Sequence, residues 1–163
     1  MDIVAFTDGS CSKNGSHDAT GSFAVVWPNG QFESIGKKLV KEPGFPITNN
    51  RAEYMAAIVA IESVIEMDPE YTRHMYIYTD SMLLMNTVTK WMENWEKNDW
   101  KKKDSDKKDS KIKNLDLVKR LFNLTRKRTV YWAHVKAHSG LDDYFSRWNV
   151  VVDKLAQEVN KRE

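Results

Sequence analysis

Asp8 in Thr7-Asp8-Gly9-Ser10, Glu53 in Asn49-Asn50-Arg51-Ala52-Glu53 and Asp80 in Tyr78-Thr79-Asp80-Ser81 each stand where an extended run meets a turn or a helix. A fourth acid, Asp153, lies on a C-terminal segment with helical spacing. Acids scattered along a chain but delivered by strand ends can converge in space, and hard oxygen ligands around an open site suit paired Mg²⁺ ions in phosphoryl chemistry. Taken singly, each acid has an ordinary structural alternative. Asp8 fits a tight Asp-Gly turn, Glu53 fits a capping box with Asn50, Asp80 fits the cap of a following helix, and Asp153 fits a solvated helix position. The weight rests on the combination.

The elements that must position these acids are legible in the pattern. Residues 3–7 are rich in β-formers and stop at the Asp8-Gly9 turn signal, so this run is expected to deliver Asp8 to a strand end. Strands over 21–27 and 31–40 flank Pro28-Asn29-Gly30, a hairpin cue that makes the opening a three-stranded meander. After Pro43-Gly44-Phe45-Pro46, Thr48 or Asn49 can cap a helix over 50–66, with Met55, Ile58, Val59, Ile61 and Ile65 on a wide apolar face. A strand over 74–79 and a helix over 81–90 follow. The order strand, helix, strand predicts a parallel pair with its functional edge at the strand ends. A helix over 112–124, a strand over 129–135 and a closing helix over 146–162 complete the pattern.

The 163 residues, 41% of them hydrophobic, suffice for one domain with its own core. The formal net charge of +2 is unevenly spread: residues 97–113 carry eight lysines against Asp99, Asp104, Asp106 and Asp109, which leaves the remainder slightly acidic. Such asymmetry suits a local polyanion-binding surface. Over the wider segment 91–113, Trp91, Trp95 and Trp100 alternate with lysines, and residues 101–108 read as an exposed loop. Cys11 is the only cysteine, which excludes an intramolecular disulfide and a cysteine-built zinc site. With no basic leader and no long apolar run, the expectation is an intracellular protein, cytoplasmic or nucleoid-associated, with no membrane partner.

Five motifs together resemble type 1 ribonuclease H, the cellular family with a basic protrusion. They are Thr7-Asp8-Gly9-Ser10-Cys11 with Asn14-Gly15; Thr48-Asn49-Asn50-Arg51-Ala52-Glu53; Tyr78-Thr79-Asp80-Ser81; His134-Val135-Lys136-Ala137-His138-Ser139-Gly140; and Asn149-x-x-x-Asp153-x-Leu155-Ala156. They occur in the family's order over nearly the whole chain. The resemblance implies an α/β fold of the ribonuclease H type. Its five-stranded mixed sheet, three antiparallel strands then two parallel, is flanked by helices. It also implies endonucleolytic cleavage of the RNA strand of RNA–DNA hybrids, leaving 5′-phosphate and 3′-hydroxyl ends, and a monomer is expected.

By that similarity Asp8 bridges two Mg²⁺ ions, Asp153 helps hold the one that activates water, and Glu53 and Asp80 support the one that stabilises the leaving 3′ oxygen. Mn²⁺ can take the same ligands. His138 maps onto the family's mobile histidine. His134 competes for the role, but it falls within the expected strand, whereas His138 sits beside Ser139-Gly140 in a loop. Asn149 shares a helix face with Asp153 and is expected to orient the Asp153 carboxylate. Cys11, Asn14, Asn49 and Asn50 resemble minor-groove contacts to sugar 2′-hydroxyls and base edges. Thr48 and Asn114 resemble the grip on a DNA phosphate. Trp91, Trp95, Lys101 and Lys102 belong to the protrusion expected over about 90–113, although Trp91 and Trp95 also fit helix packing.

Departures from the family pattern are local. Residues 16–20, Ser-His-Asp-Ala-Thr, replace a Pro/Gly-rich turn, and Pro46 stands where some members place a phosphate-binding arginine. The stretch 141–148 reads as a lengthened loop that brings Asp142 and Asp143 near His138 and on which the placement of Asp153 depends. The first strand begins so early that no separate hybrid-binding domain is expected before it. Two other functions share parts of the pattern: a non-catalytic hybrid-binding module and a DNA-directed nuclease of the resolvase or integrase kind. The asparagine set speaks against the latter, because DNA offers no 2′-hydroxyl.

Overall fold

The computed structural model describes residues 1–102 and 111–162. Its sheet comprises β1 (Ile3–Ser12), β2 (Thr20–Val26), β3 (Ile35–Lys38), β4 (Met75–Thr79) and β5 (Val130–His134), in the order β3-β2-β1-β4-β5. β1 to β3 are antiparallel; β4 joins β1 in parallel and β5 joins β4 in parallel. The helices are α1 (Asn49–Met67), α2 (Met82–Asn86), α3 (Met92–Lys97), α4 (Leu115–Lys127) and α5 (Tyr144–Lys161). This is the expected mixed sheet with flanking helices.

Alternation along β1 divides the core in two. Ile3 and Ala5 join Ile58, Ile61, Met75, Ile77 and Leu121 beneath α1 and α4. Phe6 faces the other way, onto Val152 and Ala156 of α5. Each large aliphatic side chain enclosed this way contributes about 1.5–3 kcal/mol relative to exposure. α1 is buried nearly all round because Ala52, Ala56, Ala57 and Ala60 allow close approach to the sheet. α4 is one-sided instead, with Leu117, Val118, Leu121 and Phe122 inward.

Several expectations need correction. Asp8 does not end its strand: β1 continues to Ser12, with Asp8 opposite Ala24 and Gly9 opposite Phe23. The glycine is there for approach, not for turning. A Cβ on Gly9 would stand 2.7 Å from the Ala52 Cβ and 2.9 Å from the Glu53 nitrogen, so its absence lets the first turn of α1 sit against the strand. The third strand is shorter than 31–40, because Trp27 and Phe32 pack on each other across an open connection and pairing resumes only at Ile35. The helix expected over 81–90 runs on to Lys97 through a π-helical turn, Thr87–Trp91. There the buried Thr87 hydroxyl donates to the Leu83 carbonyl and meets the Tyr54 hydroxyl at 2.8 Å. Finally, 141–148 is not a long loop. Asp143 Oδ1 accepts from the Ser146 N–H at 2.8 Å and starts α5 at Tyr144.

Candidate active site

β1 and β4 run side by side with Thr7 opposite Thr79, so the residues that follow, Asp8 and Asp80, emerge together. The Thr79 hydroxyl accepts from the Ser81 N–H at 3.1 Å, and Ser81, not Asp80, caps α2 through the Leu84 N–H. Asp80 is thereby left free of capping. Thr48 caps α1 by accepting from the Arg51 N–H at 3.1 Å, which removes the capping-box alternative for Glu53. Glu53 instead reaches β1, where its Oε1 accepts from the Gly9 N–H at 3.1 Å.

One carboxylate oxygen from each of Asp8, Glu53 and Asp80 lies within 4.8 Å of the others. Asp8 and Glu53 are only 3% and 4% exposed, which is rare for acids without a counter-charge. Burial pushes Asp8 far above the carboxylate range, and the neighbouring Glu53 charge pushes it further. Burial also raises Glu53. Asp80 rises for the same reason, partly offset by the Asn149 amide that donates to its Oδ2 at 3.3 Å. Glu53 Oε2 is buried with no hydrogen-bond partner. Like charges held this close, with an orphaned oxygen among them, fit a divalent cation and make poor sense without one.

Asp153, half-buried on α5, stands beside this trio without belonging to the tight group, and its carboxylate adds to the upward push on Asp8, Glu53 and Asp80. Gln157, one turn later, donates to its Oδ2 at 2.9 Å. That partner escaped sequence reasoning, although the i,i+4 spacing could have found it. Asn149, expected to orient Asp153, instead donates to Asp80, while Asp153 is held by Gln157.

The two histidines are separated by the structure. His134, last in β5, donates from Nε2 to the Asp80 carbonyl at 3.2 Å. His138 lies exposed in the loop beyond, in left-handed backbone at φ 49°, near enough to Asp80 for its charge to favour the ionised carboxyl. Asp142 and Asp143 are occupied elsewhere, with Arg147 and with the α5 cap.

Asn14, Asn49 and Asn50 are exposed on one side of the acids, and the Asn14 Oδ1 accepts from the Asn49 N–H at 2.7 Å. Cys11 is half-buried beside the Ile47 carbonyl. Beyond them a cleft of about 390 Å³ is lined by Asn50, Trp91, Trp95, Lys102 and Asn114. Trp91 is partly exposed there and Trp95 is packed on the core, with ring centroids 5.8 Å apart, so the two tryptophans serve packing and surface together. Lys101 is exposed nearby. Of the expected protrusion, 103–110 lies outside the described residues. Asn114 takes left-handed backbone just before α4, and its Oδ1 accepts from Arg51 at 3.3 Å. Arg51 is itself buried, bidentate to Asp116 at 3.0 and 2.6 Å. No spacing announces that pair, whose members lie far apart in sequence.

The model of the RNase H family matches residues 1–161. The chain belongs to the RNase H family. It is 38% identical over 156 residues to Ribonuclease H of Maricaulis maris, covering 96% of this chain and 91% of that protein. It is 34% identical over 160 residues to Ribonuclease H1 of Homo sapiens, covering 98% of this chain but 50% of that one. The chain thus spans most of the bacterial relative and half of the human one. Among solved structures, the foamy virus (PFV) RNase H domain superposes with a TM-score of 0.74 at 19% identity, covering 98% of this chain and 94% of that one. LC11-RNase H1 in complex with RNA/DNA hybrid gives 0.64 at 16%, covering 98% and 96%. At those identities the structures bear on the fold. In this RNase H-family chain the acid trio is the candidate metal site, and among the described residues no helix is long and apolar enough to cross a membrane.

Proposed function

We propose that this chain is an endonuclease that hydrolyses the RNA strand of RNA–DNA hybrids to give 5′-phosphate and 3′-hydroxyl ends. The observation that carries the reading is the convergence of Asp8, Glu53 and Asp80 within 4.8 Å at the edge of a surface bearing Asn14, Asn49 and Asn50. Asp8, Glu53, Asp80 and Asp153 would hold divalent cations, two Mg²⁺ in our reading with Mn²⁺ as an alternative, which would supply an acidified attacking water and charge neutralisation at the departing oxyanion. The residues do the rest. Asp8 stands between Glu53 and Asp153 and ties the halves of the site together. Asn149 fixes Asp80, and Gln157 fixes Asp153. His138, on its exposed loop, carries a proton at the water or the product phosphate. The asparagines and Cys11 read the 2′-hydroxyl side of the minor groove. Thr48, Asn114, Trp91, Trp95, Lys101 and Lys102 take the DNA strand, its phosphates through charge and its sugars through aromatic packing. We further read the protein as a single-domain, intracellular monomer.

The test uses labelled RNA–DNA hybrid, duplex DNA and duplex RNA, each with and without Mg²⁺. Only the hybrid should be cut, and only with the metal. Asp8→Asn and Asp80→Asn should each abolish cleavage while hybrid binding persists. Metal-dependent cutting that survives either substitution would overturn the roles given to these acids. Equal cutting of duplex DNA would overturn the substrate assignment.

A further inference from the structure

Beside His134 lies a recess of about 320 Å³. Tyr78, Val135, Leu141 and Phe145 form its apolar walls, and Lys136 stands at its lip. Phe145 is 43% exposed and Leu141 65%, so apolar surface is left open to water close to the reacting centre. The Tyr78 and Phe145 rings stand 5.1 Å apart and tilted, and Tyr78 is stacked from behind on Phe6, which holds its ring still. The walls are therefore preorganised rather than collapsed.

The charges around the recess are unequally spent. Asp143 is consumed in capping α5 and Asp142 faces Arg147. Ser139 is tied to Ser146 at 3.0 Å and to the Leu141 N–H at 3.2 Å. Lys136 is exposed and makes no ion pair among the described residues. An aromatic wall with one free cation beside it is the arrangement that takes a base by stacking and its phosphate by charge. Continuity decides which nucleic acid would arrive. His134 lines the recess and also donates to the Asp80 carbonyl, so the recess adjoins the acid site through this residue, within reach of a strand that the acids would hold. A paired base, stacked in its duplex, cannot enter; an unpaired one can.

We propose that this recess is a subsite for an unpaired ribonucleotide next to the linkage being cut, with its base against Tyr78 and Phe145 and its phosphate on Lys136. The proposal rests on the hybrid-cleavage reading and adds a substrate class to it: junctions where the RNA strand leaves the duplex. The experiment compares three hybrids with the intact protein and Mg²⁺: one blunt, one whose RNA continues unpaired on the 5′ side of the junction, and one whose RNA continues on the 3′ side. One of the two junctions should be cut at its last paired linkage with a KM about tenfold below that of the blunt end, as one base stack implies. Phe145→Ala should erase that gain, and Lys136→Gln should reduce it and weaken its salt dependence, while cleavage within continuous hybrid stays as in the parent. Lys136 lies on the surface, so its variant keeps the test open should Phe145→Ala unfold.

Equal KM for all three hybrids overturns the proposal, and so does a junction gain that persists in both variants. A concentration-dependent dimer lost in Phe145→Ala, together with equal KM values, would assign the recess to a second copy of the chain and likewise overturn it. If the blunt hybrid is not cut at all, the function itself has failed, which is a different result.

Discussion

The N–H of Gly9 donates to the Glu53 carboxylate, and the missing side chain of Gly9 is what permits it. With a Cβ 2.7 Å from that of Ala52, the helix would have to withdraw from the strand. Gly9→Ala is therefore expected to cost about 1–3 kcal/mol of stability through overpacking and to lower cleavage further by moving Glu53 away from Asp8. Chemical denaturation alongside kcat checks both. A variant that keeps parent stability and parent kcat would show that the helix has slack here.

The crowded acids make a prediction about pH. Asp8, Glu53 and Asp80 have folded-state pKa values raised by burial and mutual repulsion. The folded protein thus holds protons that the unfolded chain releases, and metal-free stability should fall as pH rises above about 4. Asp8→Asn removes the largest of these penalties. In EDTA it should match the parent near pH 4 and exceed it by about 1–4 kcal/mol at pH 8. Saturating Mg²⁺ should stabilise the parent and leave the variant nearly unmoved. Thermal denaturation across that pH range, with and without Mg²⁺, reads both effects; a variant less stable than the parent at pH 8 in EDTA would contradict the charge argument.

Which parts of this were legible in the sequence follows from how local each signal is. The strands themselves and α1 are written in short-range alternation and in the Thr48 cap, so they could be read directly, whereas the five-stranded mixed sheet came from the family resemblance. The Asp8-Gly9 pair misled because a turn and a close helix contact call for the same glycine, and only the tertiary partner Ala52 distinguishes them. The stretch 141–148 misled because Asp143 is an N-cap whose helix opens on Tyr144 and Phe145, aromatic residues with weak helix preference. The π-helical turn at Thr87 depends on a hydroxyl contact with Tyr54, which no local pattern records. Within the site, the acids were visible by type and Gln157 was within reach of an i,i+4 argument, whereas the pairing of Arg51 with Asp116 became visible only through distances.

Asp68 illustrates a charge that works in the opposite direction to Asp8. Its carboxylate accepts from Thr72 Oγ1 at 2.6 Å and from Arg128 at 2.9 Å. Arg128 is 2% exposed. The Thr72 hydroxyl first, and Arg128 second, hold Asp68 well below the ordinary carboxylate range. A depressed acid stabilises the fold above its unfolded pKa of about 3.9 and loses that contribution as pH falls through the folded value. Asp68→Asn should accordingly melt lower than the parent at pH 7, with the gap closing below pH ~4. A gap that stayed constant down to acid pH would mean that shape, not charge, is what Asp68 supplies.

Arg51 holds Asn114, which the proposed function assigns to the DNA strand, without itself being assigned to it. Its guanidinium lies over the Phe45 ring at 4.5 Å, takes Asp116 in a two-pronged pair and still donates to the Asn114 Oδ1. Fixing that oxygen inward leaves the Asn114 amide nitrogen as the group free to meet a phosphate, on a residue whose own left-handed backbone provides no side-chain cap. A lysine keeps the charge but cannot span Asp116 and Asn114 together. Arg51→Lys should therefore lose about 2 kcal/mol of stability and raise KM for hybrid severalfold with kcat nearly intact, because the reacting acids are untouched. Asp116→Asn should shift KM in the same direction, since it loosens the arginine that holds Asn114. Steady-state kinetics on a hybrid substrate at two salt concentrations makes the test: a fall in kcat at unchanged KM would place Arg51 in the service of Glu53, its neighbour on α1, and remove it from the phosphate grip.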